Sequence, residues 1–194
     1  MSDFPEHIRS NEEVTPVAVA QEIHRMTVDE YVRIVRDFGW ESTELVEGVV
    51  YDVSPEYNRH ANTVMDVLYQ LKDAFPDDVV RNVGSVHLSA ISMFDPDVFV
   101  IDGSFAQDPD CAIPASAVKL VVEVSVTTQA HDRGPRLIAY AKAGLAEVWL
   151  IDPRPGTGEL VRYRDPEGAS YRTVDRFDVG ENAQDLDVTA ILKR

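Results

Sequence analysis

Two apolar stretches decide the fold: Asp95-Pro-Asp-Val-Phe-Val-Ile101 and Val118-Lys-Leu-Val-Val-Glu-Val124. Each contains a short continuous run of mostly β-branched residues, which is typical of a strand buried on both faces of a sheet. Helical patterns lie on either side, from about residue 58 to 74 and from about 132 to 142, and another strand follows at Glu147-Val-Trp-Leu-Ile151. Helices that alternate with buried strands predict an α/β protein.

Shorter elements complete this pattern. Thr27 and Glu30 have the spacing of a capping box, at the start of a helix that we expect to end at Gly39. Residues 44–53 form two short β runs around the turn Glu47-Gly48, which predicts a hairpin. Antiparallel strands are predicted near the C-terminus, at residues 159–164 and 170–174. We therefore expect a mixed β-sheet flanked by helices, with extra C-terminal antiparallel strands.

The chain organisation is simple. Residues 1–25 are polar and are interrupted by Pro5 and Pro16, so we expect a loosely ordered N-terminal arm ahead of a single domain over residues 26–194. Cys111 is the single cysteine, which excludes an internal disulfide framework and a cysteine-based zinc site. No apolar run approaches the roughly 20 residues of a membrane span, and the N-terminus lacks a signal-peptide pattern. A soluble cytoplasmic protein with no membrane partner is expected.

The net charge argues against broad electrostatic binding of nucleic acid. The sequence has 18 Lys and Arg residues against 34 Asp and Glu residues, a formal charge of −16. Such a charge repels phosphates at long range, so a DNA-binding role would need a local basic patch or bound metal cations.

Asp97 and Glu123 are the residues with the clearest chemical potential. A carboxylate inside Val-Val-Glu-Val is costly unless it meets a cation, a hydrogen bond or a shifted pKa. Two carboxylates at adjacent strand ends, with a backbone carbonyl beside them, form an oxygen site suited to Mg²⁺ or Mn²⁺. The alternative is structural: an aspartate in a turn before a strand, and a strand glutamate paired with an arginine.

Two other enzyme classes are not indicated by the sequence. The serine and threonine residues near this strand have no His/Asp partners suited to a hydrolase, and no glycine-rich phosphate loop is present.

At this point the sequence resembles the PD-(D/E)xK nuclease superfamily and, more narrowly, the bacterial Uma family of putative restriction endonucleases. The resemblance extends from about Met26 to Asp152 and depends on the order and spacing of several blocks. These blocks are Met26-Thr-Val-Asp-Glu-Tyr31, Glu44-Leu-Val-Glu-Gly48, Ser54-Pro55 with Arg59-His60, Asp95-Pro-Asp-Val-Phe-Val100, Val121-Val-Glu-Val-Ser125, Asp132-Arg-Gly134, Tyr140-Ala-Lys-Ala-Gly144 and Glu147-Val-Trp-Leu-Ile-Asp-Pro153.

The resemblance implies that residues 26–194 form a single domain with a restriction-endonuclease-like core, and it implies roles for matching positions. Asp97 and Glu123 would be metal ligands for Mg²⁺ or Mn²⁺, with the carbonyl of Val124 between them. Glu44 matches a further acidic residue near the metal, acting through water or a second ion. His60 matches a histidine of the family and would orient a phosphate or the attacking water; a solvated or capping role is the alternative. The implied substrate is DNA.

The sequence departs from the family at its lysine. The superfamily lysine normally stands two residues after the strand glutamate, where this chain has Ser125. In the Uma family the lysine lies on the next helix, and Arg136 occupies that place here. Arginine retains the charge and can bind a phosphate with two hydrogen bonds, but it does not deprotonate to act as a base. Lys142 lies off that face of the helix, and Tyr140 is expected to be a core residue.

The leading hypothesis is a divalent-metal-dependent endonuclease that hydrolyses DNA phosphodiester bonds, with Glu44, Asp97 and Glu123 holding the metal. Arg136 would neutralise charge that develops on the phosphate. The alternative is a catalytically degenerate nuclease-fold protein that acts as a binding or regulatory module. A metal held only for stability is a third interpretation. Double-strand cleavage needs two sites, so a homodimer is a further expectation.

Overall fold

The computed structural model describes residues 24–39, 42–53, 58–106, 108, 111–125, 130–154, 157–178, 181–183 and 186–188. Residues 1–23 of the expected arm, and Ser54-Pro55 of the family pattern, lie outside these described residues. Within them, no helix is both long and apolar enough to cross a membrane. In chain order the helices and strands are α1 (Val28–Phe38), β1 (Thr43–Val46), β2 (Val49–Asp52), α2 (Asn58–Ala74), β3 (Val79–Arg81), β4 (Val86–Ser89), β5 (Ser92–Phe94), β6 (Val98–Ile101), β7 (Ile113–Pro114), a 3₁₀ turn (Ala115–Ala117), β8 (Val118–Val124), α3 (Ala130–Lys142), β9 (Glu147–Asp152), β10 (Glu159–Glu167), β11 (Ser170–Phe177), β12 (Asn182–Ala183) and β13 (Leu186–Asp187).

The strands divide between two mixed sheets. The larger sheet has the order β11-β10-β9-β8-β6-β3, with one parallel pair, β8 and β9, among antiparallel neighbours. The second sheet has the order β2-β1-β5-β4-β7, with β4 and β7 as its parallel pair. Strands β12 and β13 form a separate two-stranded ladder. The mixed α/β fold with extra C-terminal antiparallel strands is therefore confirmed, with the strands shared between two sheets.

Both faces of the larger sheet are covered, as its apolar runs predict. On one face, α2 packs its buried side chains against residues such as Val98, Val122 and Trp149. On the other face, α3 and the second sheet pack against Phe99, Val121 and their neighbours. All four residues of β6 are buried. Because both faces are buried, a polar side chain at the end of β6 or β8 must find its partners inside the protein.

Several helix ends lie where the local sequence signals predict them. Thr27 and Glu30 form the expected capping box, with the backbone N–H of Thr27 donating to Glu30 at 2.8 Å. Helix α1 ends at Gly39, whose φ of 69° is left-handed. Helix α2 begins and ends within the predicted bounds, and Gly144, also at positive φ, follows α3.

Two expectations about local structure were wrong or incomplete. Helix α3 begins at Ala130 and not at about residue 132, so Pro135 lies inside the helix. The proline supplies no N–H for the carbonyl four residues earlier. Strand β5 was not predicted, because Ser-Met-Phe is too short to show a strand period. This strand pairs with β1 and β4 and ends immediately before Asp95, so it helps to position the carboxylates described below.

Candidate functional site

Three acidic side chains meet where the two sheets approach each other. Val98 of β6 pairs with Val122 of antiparallel β8, so one further step in this register places Asp97 opposite Glu123. Residues directly opposite each other on antiparallel strands project from the same face. Glu44 comes from β1 of the second sheet and is buried. Its Oε1 accepts a 3.2 Å hydrogen bond from the backbone N–H of Asp95, which ties β1 to the turn before β6.

Asp97 joins β8 to α2. Its Oδ2 accepts a 2.6 Å hydrogen bond from the backbone N–H of Val124, and its Oδ1 lies 3.2 Å from Nε2 of His60. His60 lies in the first turn of α2 and is buried. The family resemblance predicts that the backbone carbonyl of Val124 binds the metal. In the structure, the backbone N–H of Val124 contacts Asp97. The structure thus brings His60 into contact with the Asp97 carboxylate.

Arg136 bridges the other two carboxylates. Its Nη1 donates to Oε2 of Glu44 and its Nη2 donates to Oε1 of Glu123, both at 2.6 Å. The guanidinium also lies over the ring of Phe94, 5.0 Å from the ring centroid, in a cation–π contact. About a quarter of the Arg136 side chain is exposed. Arg136, carried by α3, is therefore a largely buried counter-ion that links a carboxylate of one sheet to a carboxylate of the other.

Tyr140 is the site residue that the sequence reasoning missed. It is buried in the core, as expected, but its hydroxyl also donates a hydrogen bond to Oε1 of Glu123. Its ring meets Phe94 edge-on, with the centroids 5.2 Å apart. A signal was present in the sequence, because Tyr140 lies four residues after Arg136 on one helix and therefore shares its face. A buried tyrosine hydroxyl also normally needs a partner.

Burial and crowding shift the ionisation of this cluster. Burial raises the pKa of Glu123 to about 7, and the charges of Asp97 and Glu44 act in the same direction while Arg136 opposes them. Burial also raises the pKa of Glu44, against the effect of Arg136. Burial opposes the charged form of Arg136, but Glu123, Tyr140 and Glu44 hold its pKa well above the usual value. Burial, followed by the charge of Glu123, raises the pKa of Tyr140 well above its ordinary value. One guanidinium thus balances only part of the negative charge of three carboxylates.

The donors fit a hard divalent cation in their chemistry. Asp97 and Glu123 supply carboxylate oxygens from opposed strand positions, and oxygen donors are those that Mg²⁺ and Mn²⁺ prefer. Both hydrogen bonds from Arg136 and Tyr140 go to Oε1 of Glu123, and Oε2 takes neither. Among the described residues, no group of three or more His, Cys, Asp and Glu side chains converges in a metal-holding arrangement. The fit is therefore to two carboxylates rather than to a complete protein cage.

Ser125 and Lys142 are the two other residues that the resemblance compared with the family lysine. The backbone N–H of Ser125 donates to the carbonyl of Ile151 at 2.9 Å, which extends the parallel pairing beyond β8. Lys142 pairs with Glu47 at 2.5 Å, at the turn of the first hairpin. Lys142 therefore lies away from the carboxylate cluster, as its position on the helix predicts.

Comparison with known proteins agrees with the fold. The solved structure of a "putative nuclease belonging to DUF820" from Anabaena variabilis superposes with a TM-score of 0.63, at 15% identity, over 86% of this chain and 99% of that one. At that identity the likeness shows the fold alone. No curated protein matches the sequence. The sequence pattern of the Uma2 family, described as "putative restriction endonuclease", matches residues 28–191 and so covers well over half of the chain, including all of the residues assigned above. The protein belongs to the Uma2 family.

Proposed function

We propose that the protein is a divalent-metal-dependent endonuclease that hydrolyses phosphodiester bonds of DNA. The observation that carries this proposal is the opposition of Asp97 and Glu123 on β6 and β8, with Glu44, Arg136 and His60 in contact with them or with each other. The family and the fold both point to nuclease chemistry. The metal rests on the chemistry of these side chains, whereas DNA as the substrate rests on the resemblance to the restriction endonuclease family.

Asp97 and Glu123 would hold Mg²⁺ or Mn²⁺, with Glu44 and the carbonyl of Val124 as further candidate oxygen donors. A divalent cation at such a site supplies Lewis acidity toward the phosphodiester. The protein contributes the positions of the oxygens. The Val124 N–H fixes Asp97, whereas the Tyr140 hydroxyl fixes Glu123.

Arg136 and His60 have distinct tasks in this proposal. Arg136 keeps its charge at neutral pH and has N–H groups in a planar fork, so it suits a phosphate oxygen that gains charge. Because Arg136 stays protonated at neutral pH, it has no free lone pair with which to act as a general base. His60 lies beside Asp97, and its Nε2 can either hydrogen-bond to the carboxylate or carry a proton. With a net charge of −16, local groups of this kind must offset the repulsion of DNA by the acidic surface.

The second candidate is a degenerate nuclease-fold protein that binds a partner without cutting. One observation favours it: Arg136, which the resemblance aligns with the family lysine, is already paired with Glu44 and Glu123. Arg136→Lys separates the two. If this change creates or sharply raises cleavage, the native chain is a binder or a weakened enzyme. Unchanged cleavage shows that arginine works in place of lysine.

The direct test is cleavage of supercoiled plasmid DNA with Mn²⁺ by the purified chain, by Asp97→Asn and by Glu123→Gln. We expect both variants to lose cleavage while retaining their fold by circular dichroism. Glu47→Gln is the matched control, since it removes a carboxylate at the hairpin turn, where Glu47 pairs with Lys142. Full cleavage by either site variant would contradict the proposal.

We also propose that cleavage of both strands takes two copies of the chain, since one site cuts one bond at a time. Linear product formed without a nicked intermediate, together with a dimeric mass in solution, is the expected result. Accumulation of nicked circles by a monomer would contradict it.

A further inference from the structure

The centre of the site already holds a positive charge of the protein itself, the guanidinium of Arg136, which lies between Glu44 and Glu123. The guanidinium of Arg136 has a carboxylate at each of its two Nη atoms and an aromatic ring against its face. These groups belong to three elements: Glu44 to β1, Glu123 to β8 and Phe94 to β5. The Nε of Arg136 is buried without a hydrogen-bond partner, so the orientation of the guanidinium is set by its two Nη atoms. Such an arrangement holds a cation in one place.

A guanidinium in this position must oppose a second cation on the same carboxylate. Glu123 is hydrogen-bonded to the guanidinium, so a second cation on that carboxylate would be repelled by it, and the repulsion is stronger in a largely buried site than in water. Arg136 cannot relieve the repulsion by losing a proton at neutral pH. The remaining outcomes are a weakened metal site or a displaced guanidinium.

We propose that Arg136 is a built-in counter-ion that competes with the divalent cation for Glu123. It neutralises the buried carboxylates when no metal is bound, and it lowers the affinity of the site for metal. Arg136 leaves Glu123 when the cation binds, which frees its Nη2 group to meet a phosphate. This inference rests on the proposed metal site at Asp97 and Glu123, and it adds that one arginine sets the metal affinity of that site.

The alternative is that Arg136 only stabilises the fold. Under that alternative, removing it leaves buried carboxylates without a partner and lowers stability, but it does not strengthen metal binding. The two accounts therefore differ in the sign of the effect on metal affinity.

The test is calorimetric titration of Mn²⁺ into the metal-stripped full chain, its Arg136→Met variant and its Lys142→Met variant. Lys142→Met is the matched control, because it removes one positive charge from the same helix, at a residue that pairs with Glu47 instead. We expect Arg136→Met to bind Mn²⁺ on the order of tenfold more tightly than the native chain, a difference of about 1.4 kcal/mol. Lys142→Met should bind like the native chain.

Because Arg136→Met removes the counter-ion of Glu44 and Glu123 and so puts folding at risk, Arg136→Lys provides a second measurement on a variant that keeps the charge. A lysine keeps one charge but lacks the planar fork that spans both carboxylates. It should bind Mn²⁺ more tightly than the native chain and less tightly than Arg136→Met. Equal affinity of all variants, with binding still abolished by Asp97→Asn, overturns the competition but leaves the metal site standing. Absence of Mn²⁺ binding in every folded variant overturns both the competition and the metal site.

Discussion

The backbone N–H of Val124 donates a 2.6 Å hydrogen bond to Oδ2 of Asp97, so a side chain proposed for the metal also joins two strand ends. Asp97 therefore has a structural task and a chemical one. The two tasks can be separated, because an asparagine retains an acceptor oxygen of similar size while it loses the charge.

Asp97→Asn should leave the free energy of unfolding close to that of the native chain. Asp97→Ala should lower it by about 1–3 kcal/mol, because the Val124 N–H would lose its partner in a half-buried position. Urea unfolding of both variants in a chelating buffer measures the difference. Equal losses in the two variants would show that the hydrogen bond to Val124 is not the cause.

Tyr140→Phe should lower both the affinity of the site for Mn²⁺ and the stability of the fold. It removes the hydroxyl that donates to Glu123, and a hydrogen bond to a charged group is worth about 1.5–3 kcal/mol. Tyr171→Phe is the control, since the Tyr171 hydroxyl donates to the backbone carbonyl of Leu145, at 2.9 Å.

Both tyrosine variants should lose stability in thermal unfolding, but only Tyr140→Phe should change the affinity for Mn²⁺. If the two variants bind Mn²⁺ alike, Tyr140 does not position Glu123.

The pH dependence of stability should carry a contribution from Glu123 in metal-free buffer. Its pKa in the folded protein is raised from 4.5 to about 7, so the folded state binds more protons than the unfolded state between these values. The resulting stabilisation is present at low pH and is lost as the pH rises through the folded pKa. Glu123→Gln should therefore flatten the fall in unfolding free energy between about pH 4.5 and 7. Parallel profiles for the native chain and the variant would contradict this assignment.

Gly48 should tolerate substitution less well than Gly144, although both have positive φ, at 77° and 73°. A left-handed backbone costs a residue with a Cβ about 1–2 kcal/mol at either position. At Gly48 the new Cβ would also lie 2.4 Å from Cβ of Arg25, whereas at Gly144 it would meet open space. Thermal unfolding of Gly48→Ala and Gly144→Ala should show the larger loss at Gly48. Equal losses would show that Arg25 moves aside without cost.

Much of the fold could be predicted from local pattern. Helix α2 has an apolar face at helical spacing and a proline just beyond its end, and these signals are contained within the helix itself. The buried strands β6 and β8 are visible as apolar runs. The division of the strands between two sheets was not visible, because a short strand such as β5 carries no period and its pairing partners lie elsewhere in the sequence.

The site, like the fold, has some parts that could be predicted from the sequence and others that could not. Asp97 and Glu123 stand out in the sequence because a carboxylate at a buried strand needs an explanation. The ion pair between Arg136 and Glu44 joins residues 92 positions apart, and no spacing rule reports such a contact. The structural alternative for Glu123, a strand glutamate paired with an arginine, is also present in the fold. Pairing with Arg136 and binding of a metal are therefore competing uses of one carboxylate.

The most direct measurement of the central claim is the shift in melting temperature that saturating Mn²⁺ causes in the native chain, Asp97→Asn, Glu123→Gln and Glu47→Gln. A ligand that binds only the folded state raises the melting temperature, and Glu47→Gln controls for ions held loosely by an acidic surface. The account predicts a rise in the native chain and in Glu47→Gln, and no rise in Asp97→Asn or Glu123→Gln. Equal shifts in all four proteins, or no shift in any, would contradict a metal site at Asp97 and Glu123.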